Sequence, residues 1–104
     1  MMPDFLVEMD IVFPIEVTGD EIRFLLAAES RAIQVYVTLG EFQRVWRTYG
    51  EHTGNHGHLA LWSAPSRTYI RDAYADFPLV KAGYGIVWLI RELQSNPNDP
   101  GKGK

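Results

Sequence analysis

The 104-residue sequence predicts an α+β fold, a four-stranded antiparallel sheet with two helices on one face, in the order β-α-β-β-α-β. Three patterns predict it. Apolar and polar residues alternate near the start of the chain, as in a strand. Two later segments have apolar residues at helical spacing. Between and after these segments lie aromatic and β-branched runs bounded by turn residues, which favour further strands.

The first two elements are a strand and a long helix. Residues 5–13 alternate apolar residues with others, and Pro14 stops the predicted strand. Thr18 and Glu21 then have the spacing of a capping box, and apolar residues recur at helical spacing behind them. The pattern predicts a helix over residues 19–38.

A long-looped hairpin is predicted next. Gly40 ends the helix, and residues 42–49 carry the aromatic and β-branched side chains of a strand. Residues 50–57 have turn chemistry, and the strand pattern resumes over 59–62.

The remaining elements are a second helix and a last strand. Ser66 is the predicted N-cap of the helix, Phe77-Pro78 stops it, and residues 84–90 form the strand. The complete order is the split βαβ, or ferredoxin-like, arrangement. We expect one domain over residues 1–94, followed by a flexible tail over 95–104 that has nothing to bury.

Aromatic residues are abundant for a domain of this size. The chain has 3 Trp, 5 Tyr and 5 Phe, and so small a domain buries only about two-thirds of its unfolded surface. The strands around Trp62 and Trp88 are apolar on both faces, but helices cover only one face. A second subunit packed sheet to sheet is the expected cover, so we predict a homo-oligomer, a dimer or higher.

Charge and composition exclude several function classes. The net charge of −3 provides no electrostatic surface for nucleic acid. Without cysteine there is no disulfide scaffold, thiolate metal site or Cys nucleophile. The N-terminus lacks the pattern of a signal peptide, and no apolar run is long enough for a membrane helix. We expect a cytoplasmic protein with a small-molecule substrate and neither nucleic acid nor membrane as partner.

Glu29 occupies an unusual position. It lies seven residues after Ile22 and four before Ile33, inside the apolar stripe of the first helix. A carboxyl group facing the sheet loses hydration, which raises its pKa toward that of a proton-transferring acid or base. The structural alternative is an ion pair with Arg44 or Arg47.

Other candidates lie on the strands and in the hairpin. Arg47 is either surface cover or a bidentate clamp for a substrate carboxylate, and Trp46 is core or pocket wall. Tyr84, between two glycines, is either a packing residue or a place where a ligand approaches closely. The predicted loop contains three histidines, His52, His56 and His58. The alternatives for them are a solvated position, contact with another subunit, a role as auxiliary acid or base, and metal binding. No third ligand has a compelling spacing, so we predict no metal site.

Taken together, several residues resemble the muconolactone Δ-isomerase family over nearly the whole chain. The matching residues are Phe5, Val7, Met9, Pro14, Glu29, Gly40, Trp46-Arg47, Gly50, Pro65-Ser66, Asp72 and Phe77-Pro78-Leu79. Departures are Val80-Lys81-Ala82 where the family has Phe-Pro-Tyr, and Arg71 where it has His.

The resemblance implies a cofactor-free isomerase of aromatic-compound catabolism, built as a dimeric α+β barrel. Its reaction moves a double bond in a carboxylated unsaturated lactone by removing a proton from carbon and returning one elsewhere. Glu29 would transfer the proton with His52 or His56 as helper. Arg47 would bind the carboxylate, and Trp46 and Tyr84 would line the pocket. The alternatives are another barrel enzyme, such as a cofactor-free monooxygenase, dehalogenase or cyclase, and a non-catalytic small-molecule-binding oligomer.

Overall fold

The computed structural model describes residues 2–49 and 56–101. Within these ranges the elements are β1 (Asp4–Ile11), α1 (Gly19–Thr38), β2 (Phe42–Tyr49), β3 (His56–Ser63), α2 (Arg67–Ala75), α3 (Pro78–Lys81) and β4 (Gly85–Leu93). The strands form one antiparallel sheet in the order β2-β3-β1-β4. The predicted fold class is confirmed.

The ends of α1 follow the local signals in the sequence. The Thr18 hydroxyl accepts a hydrogen bond from the Glu21 backbone N–H at 3.2 Å, as the N-cap spacing predicts. At the other end Gly40 has a φ of 77°, a conformation that favours glycine, and the chain turns there into β2. The predicted bounds of α1 and β2 are both confirmed.

The core lies between the sheet and the helices. Phe5, Val7 and Met9 of β1 and Ala60 and Trp62 of β3 are at most 2% exposed. Because these residues alternate along their strands, they define the helix-covered face of the sheet. The helices contribute Ile70, Ala73, Tyr74 and Leu79 to the same core.

Several boundaries differ from the sequence-based prediction: β1 is Asp4–Ile11 rather than 5–13, and β4 is Gly85–Leu93 rather than 84–90. β3 begins at His56 rather than at residue 59, because β1 pairs with it as far as Gly57 and Tyr49 of β2 lies opposite His56. The placement of His56 and His58 in a loop was therefore wrong. Pro78, read as a stop, also begins the short helix α3, because proline suits the first helical position.

The face of the sheet away from the helices carries apolar side chains in contact with solvent. Trp88 is 55% exposed and Ile86 53%, and Trp46 and Leu93 also belong to the exposed large apolar residues. Trp62 lies instead in the core. One chain therefore leaves this face, which we call the open sheet face, uncovered.

Outside these elements, residues 95–101 are exposed and belong to no helix or strand, and the flexibility of the tail stays a prediction. In the ranges that the structure covers, no helix is long and apolar enough to cross a membrane.

Candidate active site

A groove of about 560 Å³ lies between the start of α1 and the ends of β2 and β3. Its apolar side is formed by Ile11, Phe13, Ile22 and Leu26, and its polar side by Arg47, His56 and His58. Both the volume and the mixture of an apolar wall with a few polar groups are typical of small-molecule sites. Among the predicted site residues, the structure thus brings together Arg47, His56 and Trp46, which also lines this groove.

Arg47 and Trp46 belong to opposite faces of the sheet. In the antiparallel register Arg47 pairs with His58, and directly paired residues project to the same face. Arg47 is therefore on the helix-covered side, where its charge is available to the groove. Trp46 pairs with Leu59 on the other side, where the Arg44 guanidinium lies 4.8 Å from its ring centroid.

His58 lines the groove and is also buried in the core. The side chain is 9% exposed, and its Nε2 lies 2.8 Å from the Tyr74 hydroxyl. The same hydroxyl accepts a hydrogen bond from the Trp62 indole N–H at 3.2 Å. Burial lowers the pKa of His58 to about 4, so the imidazole is uncharged near neutral pH.

This burial predicts a loss of stability in acid. The His58 pKa is about 4 in the folded protein and 6.5 for an unperturbed histidine, so the unfolded chain binds the proton more readily. Its contribution, at most about 3 kcal/mol, is present above pH 6.5 and is lost as the pH falls toward 4. Urea unfolding between pH 4 and 7 measures it. We expect His58→Phe to reduce the pH dependence of the free energy of unfolding. The control is His56→Gln, at the exposed neighbour, which should leave this dependence unchanged. The same pH dependence in all three proteins would contradict the prediction.

Glu29 is the only residue of α1 that is fully buried, at 5% exposure. Its Oε1 accepts a hydrogen bond from the Leu79 backbone N–H at 3.0 Å, which ties α1 to α3. Its Oε2 is enclosed and has no hydrogen-bond partner in the parts of the chain that are described. Burial raises the pKa of this carboxyl, and the bond from Leu79 offsets part of the rise.

The charge of this carboxyl is not balanced by a cation within the described ranges. In residues 2–49 and 56–101 the only ion pair joins Arg23 and Asp20 on the exposed side of α1. The alternative in which Arg44 or Arg47 neutralises Glu29 therefore has no support in these ranges. A buried carboxyl without a cation and with one free oxygen is costly for stability, and such groups cluster at functional sites.

The Glu29 carboxyl is not part of the groove lining. Leu26, which lines the groove, precedes Glu29 by three residues on the same helix face. The Glu29 charge is also among the causes that raise the pKa of Tyr74, after burial of the phenol. Because Tyr74 is bonded to His58, the carboxyl is within electrostatic reach of the groove floor.

Two predicted site residues are elsewhere. Tyr84 lines a second, more open depression of about 570 Å³ together with Asp20, Glu21 and Phe24, and its ring packs edge-on against Phe13 at 5.6 Å. These carboxylates repel an anionic ligand, so the groove beside Arg47 is the better candidate for one. His52 lies outside the described residues.

Sequence reasoning missed the pairing of His58 with Tyr74. In the sequence Tyr74 is spaced like an apolar residue on the core side of the second helix, and nothing in this spacing indicates a partner 16 residues away. Alternation from Trp62 through Ala60 to His58 was the available signal, since it places the histidine on the helix-covered face.

The sequence and the fold were both compared with those of known proteins. A sequence model of muconolactone delta-isomerase matches residues 3–98. The chain belongs to the muconolactone delta-isomerase family. A crystal structure of muconolactone isomerase matches with a TM-score of 0.73 and 21% identity, covering 93% of this chain and 94% of that chain. No curated protein sequence matches it.

In this muconolactone delta-isomerase family member, the three candidate site residues among those that carried the resemblance do not all line the groove. Trp46 and Arg47 line it, and Glu29 does not. At 21% identity the solved structure supports the shared fold and not a shared substrate. Within the ranges described, no three His, Asp or Glu side chains are grouped so that they could hold a metal ion.

Proposed function

We propose that the protein is a cofactor-independent isomerase that shifts a carbon–carbon double bond in a small unsaturated lactone bearing a carboxylate. Family membership supports isomerase chemistry, and we place the proposed activity in aromatic-compound catabolism. The observation that carries the proposal is Glu29, a buried carboxyl with a raised pKa and, among the described residues, no cation and one oxygen without a partner. These are the properties of a group that accepts a proton from carbon and returns it.

In the proposed reaction, Glu29 in its ionised form removes a proton from a carbon adjacent to the double bond. The electron pair of the broken C–H bond delocalises onto the lactone carbonyl oxygen. The hydrogen of the resulting Glu29 carboxylic acid exchanges with solvent, and the acid then gives a proton to a different carbon, which restores the carboxylate and moves the double bond. Leu26 lines the groove and Glu29, three residues further along α1, does not, so in this proposal the lactone ring has to reach beyond the groove lining to meet the carboxyl.

The groove fits the remaining requirements. Arg47 supplies a cation for the substrate carboxylate, in the planar geometry that suits bidentate binding. The apolar wall formed by Ile11, Phe13 and Ile22 would displace water from one side of a bound lactone, which favours proton transfer to and from carbon. His56, exposed at the rim, is the auxiliary acid or base in this proposal, and His52 stays a candidate for the same role.

Deuterium exchange tests the reaction directly. Carboxymethyl-substituted unsaturated γ-lactones are incubated with the protein in D₂O and followed by NMR. We expect double-bond migration with solvent deuterium at the carbon that receives the proton. Binding without exchange for every lactone would instead identify a non-catalytic binding protein. Oxygen consumption with aromatic or quinol substrates would indicate a cofactor-free oxygenase.

Arg47→Met tests the carboxylate site. We expect KM for a carboxylated lactone to rise about 10- to 100-fold, because a charged hydrogen-bonded pair contributes about 1.5–3 kcal/mol, while kcat changes less. Arg31→Met, which removes an exposed charge on α1 away from the groove, is the matched control and should leave both constants unchanged. If the two variants behave alike, Arg47 does not bind the substrate.

We further propose that a second copy of the chain covers the open sheet face. The face exposes two tryptophans, Trp46 and Trp88, and the aliphatic Ile86, an arrangement that monomeric proteins rarely leave in water. An identical sheet face is a self-complementary partner for it, as in a symmetric dimer.

A further inference from the structure

The hydrogen-bond pattern around Tyr74 determines which nitrogen of His58 carries the proton. Tyr74 is 1% exposed, so its hydroxyl proton needs an acceptor inside the protein. The Trp62 indole is only a donor, and it already points at the hydroxyl oxygen. In the described part of the chain the remaining partner is Nε2 of His58 at 2.8 Å, which therefore accepts.

An imidazole whose Nε2 accepts a hydrogen bond carries its proton on Nδ1 when it is uncharged. Within the described ranges Nδ1 of His58 has no hydrogen-bond partner. The only fully enclosed polar side-chain atom there without a partner is Glu29 Oε2, so Nδ1 is not sealed in the core. Since His58 lines the groove, a ligand bound there is the candidate acceptor for this N–H.

We infer that His58, held by Tyr74 as the Nδ1–H tautomer, donates a hydrogen bond to the carbonyl oxygen of the lactone bound in the groove. The inference rests on the proposed function for the identity of the ligand. It makes His58 a catalytic residue, because Nδ1–H would touch the oxygen on which negative charge develops. Tyr74 is a positioning residue that acts through His58.

Burial keeps the His58 donor uncharged, and the groups around it do not oppose this effect. From β2, Arg47 lies opposite in the register and brings positive charge to the same face. From α2 comes the phenol of Tyr74, from β1 the uncharged Met9, and from β3 itself His56 at the groove rim. Among these groups none is an anion, and Glu29 lies beyond Tyr74. With its pKa at about 4, His58 stays an uncharged donor at neutral pH.

Such a donor complements the proposed proton transfer. When the C–H bond breaks, its electron pair moves to the lactone carbonyl oxygen, and a preorganised N–H stabilises that charge. An uncharged imidazole binds it without itself losing a proton, because the Nδ1–H bond stays intact throughout. Arg47 binds the carboxylate at one end of the ligand, and His58 binds the carbonyl at the other. The pair would therefore select small anions that also carry a carbonyl group.

Nitrogen NMR of the ¹⁵N-labelled full chain tests the tautomer without any turnover. Long-range proton–nitrogen correlation distinguishes a protonated ring nitrogen from an unprotonated one, and His58→Phe identifies the signals. We expect His58 to show a protonated Nδ1 and an unprotonated Nε2 that do not change between pH 5.5 and 8. In Tyr74→Phe, which keeps the ring and removes the hydroxyl, we expect this preference to be lost. A protonated Nε2 in the unaltered protein overturns the inference.

Ligand contact is tested with a saturated γ-lactone bearing a carboxymethyl group, which cannot isomerise. We expect a saturable shift of the His58 Nδ1–H signal, and a weaker affinity in Arg47→Met. Absence of a shift at any concentration overturns the inference. With a reactive lactone, His58→Phe should lower kcat about 100-fold, as removal of one oxyanion donor does.

The two proposals fail in different ways. A shift of Nδ1–H with the saturated lactone but no exchange with any unsaturated one supports His58 as the carbonyl donor and contradicts the isomerase. The opposite outcome is deuterium exchange with no ligand effect on the His58 signal and no loss of kcat in His58→Phe. That outcome supports the isomerase and overturns the role of His58.

Discussion

Replacing Glu29 by glutamine is expected to abolish isomerisation while preserving the fold. Glutamine has the same shape, and its carbonyl oxygen can still accept the hydrogen bond from Leu79 N–H. It cannot accept a proton from carbon, so we expect kcat to fall about 1000-fold, within the range that general acid–base groups contribute. Deuterium incorporation into the lactone is the measurement.

The same substitution should make the protein more stable at alkaline pH. Because the folded pKa of Glu29 is raised above 4.5, its contribution to stability is greatest below pH 4.5 and is lost as the pH rises through the folded pKa. Glutamine resembles the protonated form at every pH, so the difference in free energy of unfolding should grow in favour of the variant from pH 4.5 upward.

Glu16→Gln, at an exposed position in the loop before α1, is the control and should change neither activity nor the pH dependence of stability. Loss of activity with lower stability at pH 8 would mean that Glu29 is only a structural residue. Unchanged activity would remove Glu29 from the mechanism.

A charge on the open sheet face is expected to dissociate the oligomer. In Trp88→Glu a carboxylate replaces a side chain that is 55% exposed in the single chain, so the fold of one chain should tolerate it. Buried against an apolar partner the same carboxylate would lack a cation, which costs several kcal/mol. Light scattering should show the mass falling toward the 11.9 kDa of one chain.

Phe24→Glu is the matched control, because Phe24 is also a large exposed aromatic residue, at 69%, but lies on α1. We expect it to leave the mass unchanged. Dissociation by Phe24→Glu alone would place the interface on the helix side, and a monomeric unaltered protein would contradict the sheet-to-sheet proposal.

Local signals in the sequence were sufficient for most of the fold. The bounds of α1 follow from the cap at Thr18 and the glycine at position 40, whose physics involves only neighbours within a turn. The uncovered sheet face follows from alternation alone, since Trp88 and its neighbours are apolar where helices cannot reach. Burial of Glu29 follows likewise from helical periodicity.

Boundaries that depend on a distant partner were not predictable in this way. β3 extends before residue 59 because β1, nearly 50 residues earlier in the chain, pairs with it as far as Gly57, and Tyr49 of β2 pairs with His56. The two described histidines consequently lie on a strand, and one of them enters the core. Turn composition around residues 50–57 indicated a loop because it reports local preference only.

The candidate site shows the same division. The sequence was sufficient to identify Glu29 as a candidate for proton transfer and Arg47 as a candidate for anion binding. Helical periodicity predicts the burial of Glu29, and the charge of Arg47 is a property of the residue itself. Which side chains meet was decided by strand register and helix packing. These put Arg47 opposite His58, joined His58 to Tyr74, left Glu29 without a cation in the described ranges and moved Tyr84 to a different depression. Such contacts join elements far apart in the chain, and no local pattern encodes them.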